Sequence, residues 1–227
     1  YINISTNTGE TYTSIKPSPA SGPFVTKMAL NPINSNEIYV GWTNDTIYRS
    51  TNYGSSYNYS VLPFNLFENT EPGDVKSIDV SPIPNFVYAC TDEAVFRSTD
   101  YGATWENIYY AGKDFTNVVA ITAGVAIITR GGYDAGDKVY IYDADDNSIT
   151  NISANLPNIP VWVSAFSPNN ISGEIYVGTE IGVFKSEAPY TTWSLFGTKF
   201  VTYPIRDLVI YPNQAKIRAA TFGRGIL

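Results

Sequence analysis

The sequence contains no histidine and a single cysteine, Cys90. Serine–histidine catalysis, cysteine–histidine catalysis and histidine-based metal sites therefore have no residues to build on. Basic residues are also scarce, since 14 Lys and Arg stand against 21 Asp and Glu and give a net charge of −7. Nucleic acid and anionic membranes need a positive surface, so neither is expected as the main partner. We predict no cofactor.

Long apolar runs are missing as well. The longest, near 118–128, is too short and too rich in small residues to span a bilayer, so no transmembrane segment is predicted. A hydrophobic content of 44%, with 15% aromatic residues, is nevertheless enough for a sizeable core. The scarcity of Lys and the abundance of Tyr, Asn, Ser and Thr favour an exported protein. We expect it outside the cell or on the cell surface, and of bacterial origin.

One short segment recurs along the chain. Its fullest copy is Ser-Thr-Asp-Tyr-Gly-Ala-Thr-Trp at 98–105, and the copies at 5–12 and 50–57 carry Asn for Asp and Tyr for Trp. We call these three segments the box turns; a fourth copy, 186–193, has lost both Asp and Gly. Each copy indicates a polar turn in which glycine takes a positive φ and the following aromatic residue begins a strand. The residues assigned to these turns are Asn7, Gly9, Asn52, Gly54, Ser98, Asp100, Gly102 and Trp105.

The pattern Ser-x-Asp-x-Gly-x-Thr-Trp resembles the Asp-box, or BNR repeat, of sialidases, sortilin-type receptors, xyloglucanases and photosystem assembly factors. The resemblance covers essentially the whole chain and implies a structural role for the turns. The side-chain oxygens of Asn7, Asn52 and Asp100 would accept backbone N–H groups, with Trp105 packed beneath. The stretch 217–227 resembles the last propeller blade of secreted bacterial members. Some of these continue into a sorting domain read by the type IX export machinery.

Between the box turns, the same order of four short strands repeats. First strands are predicted at 25–30, 75–80, 117–122, 162–166 and 205–210, and second strands at 37–42, 86–91, 125–129, 174–179 and 216–221. Third strands are predicted at 47–50, 95–98, 139–142 and 183–186, and fourth strands at 12–15, 57–61, 105–109, 149–152 and 193–196. One aromatic residue occupies the same place in each third strand, which predicts stacking in the core.

Four short strands in a unit of about 45 residues are typical of a β-propeller blade. We therefore predict an all-β propeller of four-stranded antiparallel blades, with five repeats and a single domain, or a propeller fragment, over 1–227. The repeats span about 1–15 (partial), 25–62, 75–109, 117–152, 161–196 and 205–227 (partial). Both chain ends reach the third-strand position. We expect either a closed five-bladed ring or, as the favoured alternative, part of a larger ring.

The third repeat differs from the others. The segment 142–148 replaces the box turn, and 131–137 is inserted before the third strand. Asp143, Asp145 and Asn147 have the opening spacing of a calcium loop, but Ser148 replaces the expected glycine and Ala154 the expected glutamate. We predict a solvated turn there and no metal site.

Function is expected on the face opposite the box turns, where second strands lead into third strands and where each repeat leads into the next. Its polar residues are Asn44, Asp45, Asp92, Glu93, Asp134, Asp137 and Glu180, joined by loops 63–74, 109–115 and 197–204. The ligand-binding candidates are Phe67, Tyr110, Asp45, Asp92 and Glu180. Glycoside hydrolysis needs two carboxyl groups roughly 5 to 9.5 Å apart. Asp45 and Asp92 come from successive repeats and are the candidates for such a pair.

Two functions remain open. The first is a non-catalytic extracellular or cell-surface module that offers a rigid surface to a protein or a glycan. The alternative is part of a xyloglucanase-like glycoside hydrolase. A sialidase is disfavoured because neither that family's arginine triad nor its Phe-Arg-Ile-Pro motif is present. Further blades or domains of the same precursor are the other expected partners.

Overall fold

A computed structural model describes residues 2–17, 22–23, 25–63, 73–83, 85–168, 173–197, 203–211, 216–223 and 225–226. Within these ranges every regular element is a β-strand, and all pairing between strands is antiparallel. The described residues contain no helix that is long and apolar enough to cross a membrane. The chain divides into two compact units, 1–110 and 111–227.

The first unit contains three sheets. Strands β1 (Asn3–Ile4) and β2 (Thr13–Ser14) form a two-stranded sheet. The next sheet is β3 (Lys27–Leu30), β4 (Ile38–Gly41), β5 (Thr46–Ser50) and β6 (Asn58–Val61). The third is β7 (Ser77–Val80), β8 (Val87–Cys90), β9 (Ala94–Ser98) and β10 (Glu106–Tyr110). In both four-stranded sheets the strands are neighbours in chain order.

The second unit repeats this arrangement in three further sheets. One consists of β11 (Phe115–Ala120), β12 (Val125–Arg130), β13 (Val139–Asp143) and β14 (Ser148–Asn151). The next consists of β15 (Val161–Ser167), β16 (Glu174–Thr179), β17 (Gly182–Glu187) and β18 (Ser194–Phe196). The last has three described strands, β19 (Ile205–Tyr211), β20 (Lys216–Thr221) and β21 (Gly225–Ile226). The predicted all-β fold of four-stranded antiparallel blades is confirmed, and every predicted strand is present with its ends within two residues of the predicted positions.

Hydrophobic side chains fill the layers between neighbouring sheets. In the first unit, Tyr39 and Ile47 of one sheet pack against Val87 and Phe96 of the next in a single buried cluster. The second strands β4 and β8 are buried at all four positions because each lies inside a sheet with packed faces. The aromatic position in the third strands lies in the core as predicted, since its four residues are all at least nine-tenths buried: Tyr48, Phe96, Tyr140 and Phe184.

Close packing between sheets requires a glycine at one point in each unit. A Cβ on Gly41 would lie 2.6 Å from Val75 Cγ1, and one on Gly178 would lie 2.6 Å from Ile205 Cγ2. Both glycines end or nearly end a second strand, and both face the beginning of the next first strand. At this end of the strands, a side chain of the next sheet therefore packs directly against the glycine and leaves no room for a Cβ.

The segment that replaces the box turn in the third repeat is a turn closed by its own side chains. Asp143 Oδ1 accepts the backbone N–H of Asp145 at 3.0 Å, and Asp146 Oδ1 accepts that of Ser148 at 3.1 Å. Such local bonds are typical of Asx turns. No group of three or more His, Cys, Asp or Glu side chains suited to a metal ion occurs among the described residues.

Candidate functional site

Each of the three box turns is closed by the same pattern of hydrogen bonds. In the turn at 98–105, the Ser98 hydroxyl accepts the N–H of Gly102 and donates to Asp100 Oδ1, each at 2.8 Å. Asp100 also accepts the N–H of Thr104 at 2.8 Å and the Thr104 hydroxyl at 2.7 Å. Two consecutive residues, Tyr101 and Gly102, have φ values of 61° and 77°. The network closes an exposed loop of five residues on itself.

The two asparagine-containing turns reproduce this network with neutral groups. Asn52 Oδ1 accepts the N–H of Ser56 at 2.9 Å, and its Nδ2 donates to the Ser56 hydroxyl at 2.9 Å. Asn7 makes the same two bonds to Thr11, both at 2.9 Å. Gly9 and Gly54 have φ values of 93° and 83°. The side chain at the third position of all three turns is therefore occupied by bonds within its own turn.

At three of the four copies, the final aromatic residue ties its sheet to the preceding one; Tyr12, in the first copy, is largely exposed. Trp105 Nε1 donates to the Ser60 hydroxyl at 2.9 Å, and the Tyr57 hydroxyl donates to the carbonyl of Ile15 at 2.6 Å. Trp193, in the copy without Asp and Gly, donates from Nε1 to the carbonyl of Ile152 at 2.7 Å. These contacts place the turns in the packing between sheets.

On the opposite side of the first unit, Asp45 anchors the chain that leads into β7. Its N–H donates to the carbonyl of Gly73 at 2.9 Å, and its Oδ1 accepts the N–H of Gly73 at 3.1 Å. The carbonyl of Asp45 accepts the N–H of Leu62 at 2.9 Å. Asp45 itself has a φ of 54°. The residue therefore connects the end of one sheet to the start of the next.

The carboxyl group of Asp45 is unusually hard to ionise. Burial raises its pKa to about 6; the N–H of Gly73 opposes this shift, and the charges of Glu93 and Asp74 add to it. Glu93 and Asp74 are thus the carboxylates whose charges act on Asp45. Asp92, the partner that the sequence suggested, is exposed.

The other ligand-binding candidates are spread over both units. Tyr110 belongs to the first unit and is half-buried against its hydrophobic cluster. Glu180 belongs to the second, where its Oε2 accepts a hydrogen bond from the Tyr133 hydroxyl at 3.0 Å. This bond, with partial desolvation, raises the pKa of Tyr133. Phe67 and most of loop 63–74 lie outside the described residues.

The first strands of the second unit share an irregularity. The pairing register shifts between Phe115 and Asn117 in β11, between Val161 and Val163 in β15, and between Ile205 and Asp207 in β19. The residues inside these bulges are Thr116, Trp162 and Arg206. Bulges turn side chains away from the regular alternation and are frequent beside functional sites. Because β15 contacts both β11 and β19, the three bulges occupy neighbouring strands.

Around two of the bulges, aromatic and charged side chains come together at one end of three consecutive sheets. We call Tyr133, Trp162, Glu180, Arg206 and Phe222 the rim. Tyr133 is in the loop after β12, Glu180 and Phe222 directly follow β16 and β20, and Trp162 and Arg206 lie near the starts of their strands. All five belong to the side of their sheets opposite the Trp193 turn.

Arg206 is the centre of the rim. Its guanidinium lies 4.0 Å from the centroid of the Trp162 ring and 5.9 Å from that of Phe222. Within the described part of the chain, the guanidinium makes no ion pair and no hydrogen bond. Phe222 and Tyr133 expose 72% and 62% of their surface, so the aromatic rings on this edge face water. In the part of the chain that the structure describes, this exposed cation is thus held by the two aromatic rings, and its N–H donors have no acceptor.

The inserted loop 131–137 carries Tyr133 and is held by buried charges. Arg130 is paired with Asp137, and its Nη2 donates to the carbonyl of Lys113 at 3.1 Å. Lys138 Nζ donates to the carbonyl of Gly132 at 2.9 Å, and burial lowers the pKa of this lysine. Gly131 also approaches the Trp162 ring, since a Cβ there would lie 3.8 Å from Cζ3. These contacts fix the loop against the rim.

Of the rim residues, Glu180 was predicted from the sequence, whereas Tyr133, Trp162, Arg206 and Phe222 were not. Trp162 was assigned to a regular first strand, because a bulge leaves the alternation of polar and apolar residues almost unchanged. One difference between the repeats could have indicated these residues. At the early first-strand positions of Trp162 and Arg206, the first unit has Thr26 and Lys76. The other predicted members of the face, Asp134 and Asp137, lie in the loop that positions Tyr133.

No protein-family model matches this sequence. Among curated proteins, it is 27% identical over 190 residues to the xyloglucanase Xgh74A of Acetivibrio thermocellus. That match covers 74% of this chain but only 19% of the enzyme. The chain thus corresponds to a small part of the curated relative.

Solved structures give a consistent result for the fold. The xyloglucanase of glycoside hydrolase family 74 from Xanthomonas campestris superposes with a TM-score of 0.65 at 14% identity, covering 87% of this chain and 35% of the enzyme. YCF48, solved with a D1 peptide, gives 0.63 at 15% identity, covering 96% and 67%. PorZ, a surface component of the type IX secretion system of Porphyromonas gingivalis, gives 0.60 at 15%, covering 88% and 31%.

The chain has a β-propeller fold. At these identities the similarity establishes the fold and nothing further. The propellers that resemble it include glycoside hydrolases, a protein solved with a peptide, and a bacterial surface component.

Proposed function

We propose that this chain is a non-catalytic binding module of an extracellular or cell-surface protein, and that the rim of its second unit is the binding surface. The observation that supports this most directly is the exposed Arg206, which has no ion pair among the described residues, beside the half-buried Trp162 and the exposed rings of Phe222 and Tyr133. Aromatic rings and arginine are the side chains most enriched where proteins bind partners. Short strand ends held by buried contacts provide the rigid support that such a surface needs.

The box turns have a structural role in this proposal. We propose that they are Asp-boxes, in which the third side chain closes the turn and the final aromatic residue ties one blade to the preceding one. Their polar atoms are already engaged within the turns. Changes at Asp100, Asn52 or Asn7 should therefore alter stability and leave binding intact.

One observation supports the alternative, part of a xyloglucanase-like glycosidase. A general acid in such an enzyme needs a carboxyl group with a raised pKa beside a second carboxylate that stays ionised. Asp45 has a pKa of about 6, and Glu93 and Asp74 act on it. However, the Asp45 carboxylate already accepts the N–H of Gly73 and fixes the connection between two sheets. We therefore rank this role below binding.

The two functions are separated by measuring binding and turnover on the same samples. The chain is titrated with soluble plant and bacterial polysaccharides and with a peptide library, and released reducing ends are counted. We expect saturable binding without turnover, and loss of binding in the double variant Tyr133→Ala/Phe222→Ala. Both side chains are largely exposed, so this variant should keep the wild-type melting temperature. Turnover that disappears in Asp45→Asn at an unchanged melting temperature would establish the glycosidase instead.

A further inference from the structure

The surroundings of Arg206 indicate the chemical class of the ligand that binds at the rim. Its guanidinium lies over the Trp162 ring and within cation–π distance of the Phe222 ring, yet its N–H donors have no acceptor in the described part of the chain. In contrast, Arg49, Arg97 and Arg130 each form an ion pair with a carboxylate of the same unit. Among the described residues, Arg206 is thus an exposed arginine without an acceptor, and it is available to an anion from outside the chain despite the overall negative charge.

Resting on the proposed function, we propose that the rim binds a carboxylate-bearing sugar unit, such as a uronic acid within a glycan, with Arg206 as the carboxylate receptor. A guanidinium can hold a carboxylate through two parallel N–H···O bonds, and stacking on flat rings fixes the plane of that fork in advance. Less conformational entropy is then lost when the ligand binds.

The remaining rim residues suit the rest of a sugar ring. Phe222 and Tyr133 offer exposed flat apolar surfaces to its C–H face. Glu180 is fixed by the Tyr133 hydroxyl and retains acceptor capacity for sugar hydroxyl groups. The rim therefore combines a cation for the carboxylate, rings for the apolar face and an acceptor for the hydroxyls.

An acidic peptide is the competing ligand with the same charged group, and the topology argues against it. Extended peptides commonly bind by adding a strand to a sheet edge, where backbone groups are unpaired. The rim is formed by residues at the ends of strands and in the adjoining loops, beside β15 and β19. Ring stacking and side-chain hydrogen bonds are therefore the interactions that it offers.

Calorimetric titration of the whole chain tests this assignment. The probes are polygalacturonate, alginate and hyaluronan, each beside its carboxyl-reduced neutral form, together with hexaglutamate as the peptide. We expect at least one acidic polysaccharide to bind about tenfold or more tightly than its neutral form. The variant Arg206→Gln should lose this preference, and Phe222→Ala should weaken binding several-fold.

Arg218→Gln is the matched control. Arg218 is exposed in β20 of the same sheet, stacks on Tyr211 at 4.9 Å and lies nearer the other end of the strand. Its loss changes the net charge equally, so unchanged binding by this variant excludes a general electrostatic effect. Binding is compared only among variants whose melting temperature equals that of the wild type.

The outcomes separate this assignment from the broader proposal. Equal affinity for acidic and neutral polysaccharides, tighter binding of hexaglutamate, or wild-type binding by Arg206→Gln would overturn the assignment. If binding remained sensitive to Tyr133→Ala/Phe222→Ala in any of these cases, the rim would still be a binding surface. Failure of every polysaccharide and peptide to bind would overturn both.

Discussion

Replacing Asp100 by two different residues tests the role of the box turns. In Asp100→Ala, the N–H and hydroxyl of Thr104 and the Ser98 hydroxyl each lose an acceptor. Two exposed hydrogen bonds and one part-buried hydrogen bond, at about 0.5 to 1 kcal/mol each, predict a loss of roughly 2 kcal/mol in the free energy of unfolding. Asp100→Asn should lose well under about 1 kcal/mol, because Asn52 and Asn7 make the equivalent bonds in their own turns.

The pH dependence of the two variants adds a second readout. Desolvation alone would raise the pKa of Asp100, but the hydrogen bonds from Thr104, Ser98 and Ala103 outweigh it and lower the pKa. A lowered folded-state pKa stabilises the protein above the unfolded pKa, and this contribution is lost as pH falls through the folded pKa. The difference in the free energy of unfolding between the wild type and Asp100→Ala should therefore become smaller as the pH falls.

Urea denaturation at pH 7 and pH 3, followed by tryptophan fluorescence, measures both effects. The reasoning is refuted if Asp100→Asn destabilises the chain as much as Asp100→Ala. It is equally refuted if Asp100→Ala has the wild-type midpoint.

Three further changes test the packing and the electrostatics of the fold. Folding raises the pKa of Asp45 from 3.8 to about 6, so the free energy of unfolding should fall as pH rises between these values. The expected decrease is roughly 1 kcal/mol after solvent screening. Urea denaturation of Asp45→Asn should show no such decrease. Gly178→Ala should lower the free energy of unfolding by about 1 to 3 kcal/mol because its Cβ would meet Ile205, whereas Gly124→Ala should leave it nearly unchanged. Equal melting temperatures of these two variants would contradict this expectation. Burial raises the pKa of the Cys90 thiol to about 12, so native protein should resist a thiol reagent that labels it fully in urea.

The repeating parts of the fold could be predicted from the sequence because they have local causes. The same order of four short strands in every repeat placed the strands, and glycine marked the box turns. The aromatic position in the third strands followed from the repeat alone and is buried in all four sheets. These features depend on residues a few positions apart.

The rim could not be predicted because its causes are non-local. Trp162 and Arg206 are 44 residues apart in the sequence and meet only because β15 contacts β19. The register shifts that aim them depend on pairing with the second strands and leave little trace in the residue pattern. In the same way, the raised pKa of Asp45 depends on burial and on the charge of Glu93, which lies 48 residues later in the sequence. The sequence identified the charged residue types but not the contacts that select among them.

The indole N–H signals of the four tryptophans test the location of binding most directly. Trp162 reports on the rim, Trp105 on a box turn, and Trp193 on the core of the second unit. Trp42 reports on the Asp45 region, since its carbonyl accepts the N–H of Val75. In ¹H–¹⁵N spectra recorded with a polysaccharide that binds the chain, we predict a shift of the Trp162 signal with the other three almost unchanged. A shift confined to Trp42 or Trp105 would contradict the rim as the binding surface.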